Sequence, residues 1–587
     1  MSYTAPVDHM RFVLEHTAGF DRVRALPAFA EATPDVVAAV LEGAARFAAE
    51  VLAPLNAPGD RIGSRVTPAG VVTPPGFREA YQRFAADGWS SLAGAPEYGG
   101  QGMPFAVQLA VAEMWAAANM AFGLCPELSG GAIAALEEHG DDAVRQRFLP
   151  KMVSGEWTGS MCLTEPQAGS DLSTVTTRAE PDGGAWRLHG RKIYITWGEH
   201  DMADNTVHLV LARAPNAPSG VKGLSLFAVP RYRVGADGRP GEANDIRCVS
   251  VEHKMGIHAS PTCVLAIGDG PGAEGFLVGP LHQGLACMFT MMNHMRLGVG
   301  VQALGVADQA YQIAARHARE RVQGRDAAGK PTAILGHADV RRMLLTMKSQ
   351  IQAARGLSYA AAAAVDVAHH GTGAAQAAAS ARADLLTPIV KAWCSDMAIE
   401  VTSLAVQVLG GMGFTEDAAA AQCYRDVRIT AIYEGTNGIQ AQDLLGRKVI
   451  KDGGRALAAL VLEMRAALGR LPAGDARAAA LGRSLDEGIA LLERATDFAL
   501  AESARDPELV GTTAVSYLQL ASLVCGAWQW ACALAAAAQA GLDGAARGAL
   551  ADAAAFYAAH VMPRAASSAA IVLAGSAPVA AVDREFL

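Results

Sequence analysis

The sequence has few charged and few aromatic residues, and it carries no excess of positive charge. Charged residues make up 18% and aromatic residues 6% of the 587 residues, and the net charge is −9. A negative chain does not favour nonspecific binding to a phosphate backbone, so we expect no nucleic-acid partner. Hydrophobic residues reach 51%, which excludes a chain that is disordered over its length.

The chain also lacks a paired cysteine motif and an apparent secretory signal. No two cysteines form a C-x-x-C pair, and the first residues lack a basic segment followed by an apolar one. We therefore expect a cytoplasmic protein with reduced, mostly buried thiols. The nine cysteines are Cys125, Cys162, Cys248, Cys263, Cys287, Cys394, Cys423, Cys525 and Cys532.

One long stretch, from Leu509 to Leu542, has no charged residue. It is long enough to cross a bilayer. However, much of its apolar content is alanine, and Gln519, Gln529 and Gln539 interrupt it. We expect a helix buried in the protein or in an interface, and no membrane span.

The chain is long enough for several domains, and its many alanine-rich stretches favour helix. Helical patterns precede Ser160, including Pro34 to Val51 and Pro104 to Met120, and strand patterns follow to about Pro280. A hairpin turn is predicted at 180–184. Long amphipathic stripes, which include Met347, Ile351, Leu357 and Ile389, then predict a four-helix bundle and further helices. The predicted domains are 1–159 (helical), 160–282 (an antiparallel β-barrel or sandwich), 283–450 (bundle) and 451–587 (additional helices).

The first chemically informative segment is Ile432-Tyr433-Glu434-Gly435-Thr436-Asn437-Gly438. It places a carboxylate beside a glycine and a hydroxyl at a helix-to-loop junction, and we interpret this carboxylate as a catalytic base. Taken alone, an acid followed by glycine also fits an ordinary helix C-terminus. Upstream lie a glycine-rich turn at 407–414 and Tyr424-Arg425-Asp426.

Three further segments carry polar groups that can bind a ligand. The segment 161–171 contains Thr-Glu-Pro-Gln-Ala-Gly-Ser-Asp, where exposed N–H groups and hydroxyls can bind a flavin's polar edge or a phosphate. The second, 192–198, has the alternating pattern of a strand. The ordinary interpretation is that Tyr194 and Trp197 lie on a buried aromatic face of this strand. The third consists of two pieces, Met295-Arg296 at the start of a long predicted helix and Glu320-Arg321-Val322-Gln323-Gly324 at its end. A cation at the end of a helix is ordinarily solvated.

Together, these segments occur in the order and approximate spacing of the acyl-CoA dehydrogenases, which the chain resembles from about Phe29 to Lys448. The resemblance implies FAD as cofactor, an acyl-CoA substrate and a helical, β and four-helix arrangement. The extra C-terminal helices are similar to those of the 3-methylmercaptopropionyl-CoA dehydrogenases and related large bacterial enzymes. The implied reaction is α,β-dehydrogenation to a trans-2-enoyl-CoA.

By this resemblance, Glu434 is the base that removes the acyl α-proton while a hydride passes from the β-carbon to the flavin. Burial raises a carboxylate's pKa towards a useful range, and hydrogen-bond donors stabilise the developing enolate. In the family, one of those donors is the base's own backbone N–H. Some relatives place the base immediately before the arginine, but that position is Met295 here.

The resemblance also assigns binding residues by position. Those implied for FAD are Met161, Leu163, Thr164, Tyr194, Thr196, Arg321, Gln323, Gln407, Gly411 and Thr436, and those implied for the substrate are Ser170, Asn293, Arg296 and Gly435. Arg321 and Gln323 are expected to bind the pyrophosphate across a homodimer interface, with Gln407 and Gly411 contributed by the partner subunit. Asn293 replaces an acid that is common at its position in the family, and Gly438 replaces a common glutamine. Whether this chain makes those two contacts of the family is therefore left undecided.

No metal site is expected, because His200 has no spaced partner and fits a solvated loop. The resemblance implies an electron-transferring flavoprotein as electron acceptor. A sulfur-containing and a straight-chain acyl group differ too little in an apolar channel for the sequence to choose between them. An acyl-CoA oxidase and a DNA-binding alkylation-response flavoprotein remain alternatives, although 452–587 is not lysine-rich.

Overall fold

The computed structural model describes residues 3–583 and 585. They form two compact units. Unit 1 comprises 43–103 and 114–298 with Tyr3 and Thr4, and unit 2 comprises 5–42, 104–113 and the chain from Val299 onward. The ends of the first and last predicted domains, at 1–2 and 586–587, lie outside the described residues.

A mainly antiparallel sheet of eight strands forms the centre of unit 1. Its core side chains include Leu188, Val210, Phe227 and Leu265, which come from different strands and are almost fully buried. The central β region of the predicted fold class is therefore confirmed. The strands are Trp157–Cys162, Arg178–Asp182, Ala185–Thr196, Asn205–Arg213, Leu224–Pro230, Ile246–Val251, Thr262–Ile267 and Ala273–Val278.

The hairpin between the second and third strands is tighter than the predicted turn at 180–184. Residues 180–182 pair with 185–187, so only Gly183 and Gly184 form the turn. Both have positive φ, 57° and 97°, which matches the twist of a two-residue hairpin and is open to glycine without strain. The alternating pattern predicts separate strands at 185–188 and 192–196, but residues 190–192 pair with 265–267 and a single strand, Ala185–Thr196, spans both.

The antiparallel prediction did not include the parallel pairing within this sheet, where Asn205–Arg213 has two parallel partners, Trp157–Cys162 over six residue pairs and Arg178–Asp182 at Arg178 and Arg213 alone. Trp157–Cys162 runs parallel to Asn205–Arg213, with Gly159 opposite Val207. The two intervening strands and their turns supply the long connection that a parallel pair requires. The loop that follows Cys162 therefore leaves from an edge strand of the sheet.

Unit 1 also contains helices or parts of helices. The predicted helix at 104–120 is part of a longer element, Phe105–His139, in which Asn119 departs from helical geometry with φ −161° and ψ 89°. The Asn119 side chain accepts a hydrogen bond from the Phe122 N–H at 3.1 Å, which caps the second half of the helix. Other helices with residues in this unit are Ala53–Ile62, Phe77–Ala86, Asp142–Val153 and the start of Gly284–Glu320, and a π-helical turn spans Ala48–Leu52.

Unit 2 is helical, as the apolar stripes predicted. Stripe residues Met347, Ile351, Leu357 and Ile389 are at most 2% exposed. The main elements are the part of Gly284–Glu320 from Val299 onward, Ala338–His370, Gly373–Leu409, Ala419–Val427, Asn437–Gln442, the π-helix Asp443–Ile450, Arg455–Leu468, Ala476–Glu502, Leu509–Ala536, Gly544–Phe556 and Arg564–Leu573. Val7–His16, Phe20–Arg24 and a short hairpin of Val322–Arg325 with Pro331–Ala333 also belong to this unit.

The C-terminal helices pack directly on the preceding bundle helices. The indole N–H of Trp530 donates to the backbone carbonyl of Ser349 at 3.2 Å, and Arg564 forms an ion pair with Glu400 at 2.7 Å. A Cβ added to Gly526 would lie 2.1 Å from Tyr557 Oη and 2.9 Å from the Trp393 ring. Gly526 therefore permits the close approach of three helices.

A buried carboxylate of unit 2 caps the start of the helix Phe105–His139, whose residues 105–113 belong to the same unit. Asp366, only 2% exposed, accepts hydrogen bonds from the backbone N–H groups of Phe105 at 2.7 Å and Ala106 at 3.0 Å. Burial raises the pKa of Asp366 to about 7 despite these two donors.

Three helices are long and apolar enough to cross a membrane by length and composition: Phe105–His139, Gly373–Phe414 and Leu509–Ala536. In their most apolar windows, 83%, 39% and 67% of residues are buried inside the protein. Tyr517, Leu523 and Trp530 of the third helix are at most 3% exposed. The burial predicted for most of this helix is therefore confirmed.

Candidate active site

The loop after Trp157–Cys162 brings several predicted flavin contacts together in unit 1. The backbone N–H of Ile193 donates to the carbonyl of Thr164 at 2.9 Å. This bond places Thr164 beside the strand that carries Tyr194 and Thr196. Met161, Leu163, Thr164 and Thr196 are all partly buried, so two apolar side chains and two hydroxyls occupy one region of the surface.

Behind this loop lies a buried ion pair between Glu165 and Lys192. The Lys192 ammonium is 2.9 Å from Glu165 Oε1 and 2.9 Å from the carbonyl oxygen of Leu163. Burial alone would raise the pKa of Glu165, but Lys192 and donors from Thr177 and Thr176 lower it to about 2. The carboxylate therefore stays ionised, bound by Lys192 and by the two threonines. No motif in the sequence indicated a role for Lys192. The one signal was Glu165 in the 161–171 segment, because an acid that becomes buried needs a cation as its partner.

Two aromatic residues, one in the adjoining strand and one directly after its end, have left-handed backbone conformations. Tyr194 has φ 59° and Trp197 has φ 51°, which costs a bulky residue about 1–2 kcal/mol. Trp197 is fully buried and donates to the Ala121 carbonyl at 3.1 Å, whereas Tyr194 is 61% exposed. The buried aromatic face is thus confirmed for Trp197 and wrong for Tyr194, whose ring the backbone turns outward.

The predicted substrate contacts of unit 1 fall in two places. Ser170 is exposed in the loop that follows the buried ion pair. Asn293 and Arg296 lie one turn apart on one helix, where the guanidinium donates to the side-chain oxygen of Asn293 (Oδ1) at 3.1 Å. Arg296 also lies over the Phe289 ring, 5.8 Å from its centroid. Met295, beside Arg296, is 1% exposed and apolar.

In unit 2, Glu434 occupies a loop between the 3₁₀ turn Arg428–Ala431 and the helix Asn437–Gln442. Glu434 has φ 58° and Gly435 has φ 85°. A helix that simply ended at a left-handed glycine would not need the preceding acid in the same region. A left-handed glutamate persists only where the surrounding structure holds it.

The following residues fix the end of that loop. Thr436 is the N-cap of the next helix, with its hydroxyl accepting from the Ile439 N–H at 3.2 Å. The side-chain amide of Gln440, a buried residue, donates to the Glu434 carbonyl at 3.2 Å. Thr436 therefore has a structural role besides the cofactor contact predicted for it.

The remaining predicted cofactor residues of unit 2 are exposed. Arg321 follows the helix Gly284–Glu320, and Gln323 lies in the short hairpin, where its carbonyl accepts from His337 Nε2 at 2.8 Å. Gln407 is in the last turn of Gly373–Leu409, and Gly411 follows in a 3₁₀ turn. All four residues are open to solvent in the single chain.

The expectation of a solvated loop at His200 is wrong. His200 is 1% exposed, its Nε2 lies 2.9 Å from the Thr158 hydroxyl, and its Nδ1 accepts from the Met202 N–H at 3.2 Å. Burial, assisted by Arg231, lowers the pKa of His200 to about 3, so this ring is a neutral core residue. The described residues contain no group of three His, Cys, Asp or Glu placed to bind a metal.

Four family descriptions match consecutive parts of the chain. "Acyl-CoA dehydrogenase, N-terminal domain" matches 36–156, the middle domain 160–269 and the C-terminal domain 282–449. "Acetyl-CoA dehydrogenase C-terminal like" matches 457–583. The chain belongs to the acyl-CoA dehydrogenase family.

Named relatives and a solved structure agree with this family. The chain is 45% identical over 90% of both lengths to "3-methylmercaptopropionyl-CoA dehydrogenase" of Ruegeria pomeroyi. It is 38% identical over 68% of both lengths to "Butyryl-CoA dehydrogenase" of Syntrophomonas wolfei. An acyl-CoA dehydrogenase of Bacillus anthracis solved with FAD has a TM-score of 0.76 at 20% identity, covering 98% of this chain and 92% of that one, and shows the shared fold.

As an acyl-CoA dehydrogenase, the protein is an oxidoreductase that acts on acyl-CoA with FAD as its cofactor. The residues of unit 1 fit an uncharged flavin ring. Met161 and Leu163 supply partly buried apolar surface, Thr164 and Thr196 supply hydroxyls, and the nearby carboxylate of Glu165 is held by Lys192 in the interior.

Proposed function

We propose that the protein dehydrogenates 3-methylthiopropionyl-CoA, with Glu434 as the base that removes the α-proton. The observation that supports this substrate is the match to the Ruegeria pomeroyi relative, which extends over nine-tenths of both chains and includes the C-terminal helices. The butyryl-CoA dehydrogenase of Syntrophomonas wolfei favours a straight-chain acyl group as the second candidate.

The proposed chemistry of the chain's own groups is general base catalysis. The Glu434 carboxylate takes the α-proton, and its backbone N–H donates to the thioester oxygen as negative charge develops there. When bound, FAD accepts the hydride from the β-carbon. The left-handed conformation of Glu434 and Gly435 supports this role, because it interrupts helical geometry and places the acid in a loop between the two helical segments.

Other residues have proposed binding roles. Met161, Leu163, Thr164, Tyr194 and Thr196 contact the flavin ring, while Ser170, Asn293, Arg296 and Gly435 contact the acyl-CoA. The exposure of Arg321, Gln323, Gln407 and Gly411 supports contacts to FAD across a homodimer interface. Thr436 lies near the same cofactor in this proposal.

The reduced flavin must pass its electrons on before another turnover. We propose an electron-transferring flavoprotein as the acceptor, and the cytoplasm as the location. The nine free cysteines, eight of them buried, support a reducing compartment.

The substrate is tested by anaerobic mixing of the FAD-loaded protein with 3-methylthiopropionyl-CoA and with pentanoyl-CoA. These acyl groups have the same chain length and differ by sulfur in place of one methylene, so the comparison isolates recognition of sulfur. We expect faster flavin bleaching with the thioether, by about tenfold, since a methylene-sized difference is worth about 1–3 kcal/mol. Equal or faster bleaching with pentanoyl-CoA contradicts the sulfur substrate, and butyryl-CoA then tests the straight-chain alternative.

A further inference from the structure

A second buried lysine lies directly behind the loop that carries Glu434. Lys391 is fully buried within the helix Gly373–Leu409. Its ammonium donates to the backbone carbonyl of Gly435 at 2.7 Å and to the side-chain oxygen of Asn437 at 3.0 Å. The resemblance and the comparisons assign no role to this lysine.

The same face of that helix binds Asn437 through further groups. The Asn437 side-chain N–H₂ donates to Asp396 Oδ1 at 2.7 Å and to the carbonyl of Ala392 at 3.2 Å. The Ser395 hydroxyl lies 3.2 Å from Asn437 Oδ1. Residues 391, 392, 395 and 396 are neighbours on one helix surface, so the helix holds the end of the loop at several points.

The loop needs such support because its conformation is not the intrinsically preferred one. A left-handed glutamate persists only when its surroundings determine it. Gln440 binds the Glu434 carbonyl and Lys391 binds the next carbonyl, that of Gly435. Two consecutive peptide groups that follow the base are therefore held by two buried side chains.

We propose that Lys391 is a positioning residue for the dehydrogenation: it acts through the Gly435 carbonyl and keeps the Glu434 carboxylate where it takes the α-proton. The proposal rests on Glu434 being the base. A charged donor makes a stronger hydrogen bond than a neutral donor. Because the Lys391 ammonium is buried, water does not take its place at the Gly435 carbonyl.

The test compares the wild-type protein with Lys391→Met, which keeps a long side chain but has no charge or donor. Lys448→Met is the matched control, because Lys448 belongs to the same unit and pairs with Asp384 at 3.0 Å. For each protein, FAD per chain, KM and the anaerobic rate of flavin bleaching per bound FAD are measured. Since misplacement by about 1 Å can cost about 100-fold in rate, we expect Lys391→Met to bleach about 100-fold more slowly with KM changed less than about threefold. Lys448→Met should match wild type.

A bleaching rate per bound FAD equal to wild type in Lys391→Met overturns the proposal and leaves the lysine a purely structural role. If that variant does not fold, Asn437→Ala removes one acceptor from the ammonium and is measured in the same way, with a smaller loss of rate expected and an unchanged rate contradicting the proposal. Glu434→Gln is run in parallel. Normal turnover in that variant rejects the base itself, whereas failure of the Lys391 prediction with an inactive Glu434→Gln rejects only the positioning role.

Discussion

The ammonium of Lys192 and the carboxylate of Glu165 lie 2.9 Å apart, and neither side chain is more than 2% exposed. Removing one partner of such a pair leaves a buried charge, which costs about 3–5 kcal/mol. Lys192 also binds the Leu163 carbonyl, just as Lys391 binds the Gly435 carbonyl. In each unit, therefore, a buried lysine fixes the backbone of a loop that carries predicted site residues.

The close approach of helices at Gly526 predicts that a single added methyl group lowers the stability of the protein. Gly526→Ala should destabilise the protein by about 1–3 kcal/mol, because the new Cβ meets Tyr557 and Trp393 and the helices must shift. Thermal unfolding of the FAD-loaded protein measures this. Gly511→Ala is the control on the same helix, where nothing lies within 4 Å of the new Cβ. A melting temperature for Gly526→Ala no lower than that of Gly511→Ala would show that this interface is looser than the structure has it.

The buried cap Asp366 predicts a pH dependence of stability. Its pKa is raised from 3.8 to about 7 in the folded chain, so the folded state holds the proton over a range where the unfolded state has lost it. Stability should therefore fall as pH rises from about 4 to about 7, with a slope of up to about 1.4 kcal/mol per pH unit from this group.

The measurement compares unfolding of wild type and Asp366→Asn across that pH range. The amide does not titrate, so the difference in stability between the two proteins should change in favour of the variant as pH rises. Asp384→Asn, at an ion pair with a largely exposed carboxylate, serves as the control. A difference between wild type and Asp366→Asn that is constant from pH 4 to pH 7 would mean that Asp366 is ionised throughout.

The proposed cofactor contact of Arg321 is tested by flavin content. Arg321→Ala should lower FAD per chain severalfold after gel filtration, because it removes a cation from the pyrophosphate. Arg319→Ala removes the same charge from another exposed position two residues earlier. Unchanged FAD content in Arg321→Ala would reject the contact, and equal loss in both variants would point to net charge instead.

Much of the fold follows from periodicity in the sequence. Alternating strands, apolar helical stripes and the Gly183–Gly184 turn all depend on local patterns, and the buried stripe of Met347, Ile351 and Leu357 lies where the pattern put it. The parallel pairing of Trp157–Cys162 with Asn205–Arg213 depends on residues about 48 positions apart, as in the pair Gly159 and Val207, and no local pattern encodes it.

The candidate site was predicted from ordered motifs, and the roles of its residues stay predictions. The motifs did not indicate which buried side chains hold their loops in place. Lys192 and Lys391 read as ordinary polar residues within a strand and a helix, because their carbonyl acceptors come from other segments of the chain. His200 shows the opposite error: a solvated loop was expected, but the ring is buried against Thr158 of the strand Trp157–Cys162.

The most direct test of the account is the rate of anaerobic flavin bleaching in Glu434→Gln. The amide keeps the shape of the side chain but cannot take the α-proton, so the variant should retain FAD and bind acyl-CoA while bleaching slows by about 100- to 10,000-fold. Glu416→Gln, which changes an exposed acid in the same unit that pairs with Arg425, should bleach like wild type. Bleaching of Glu434→Gln at the wild-type rate would contradict the assignment of Glu434 as the base.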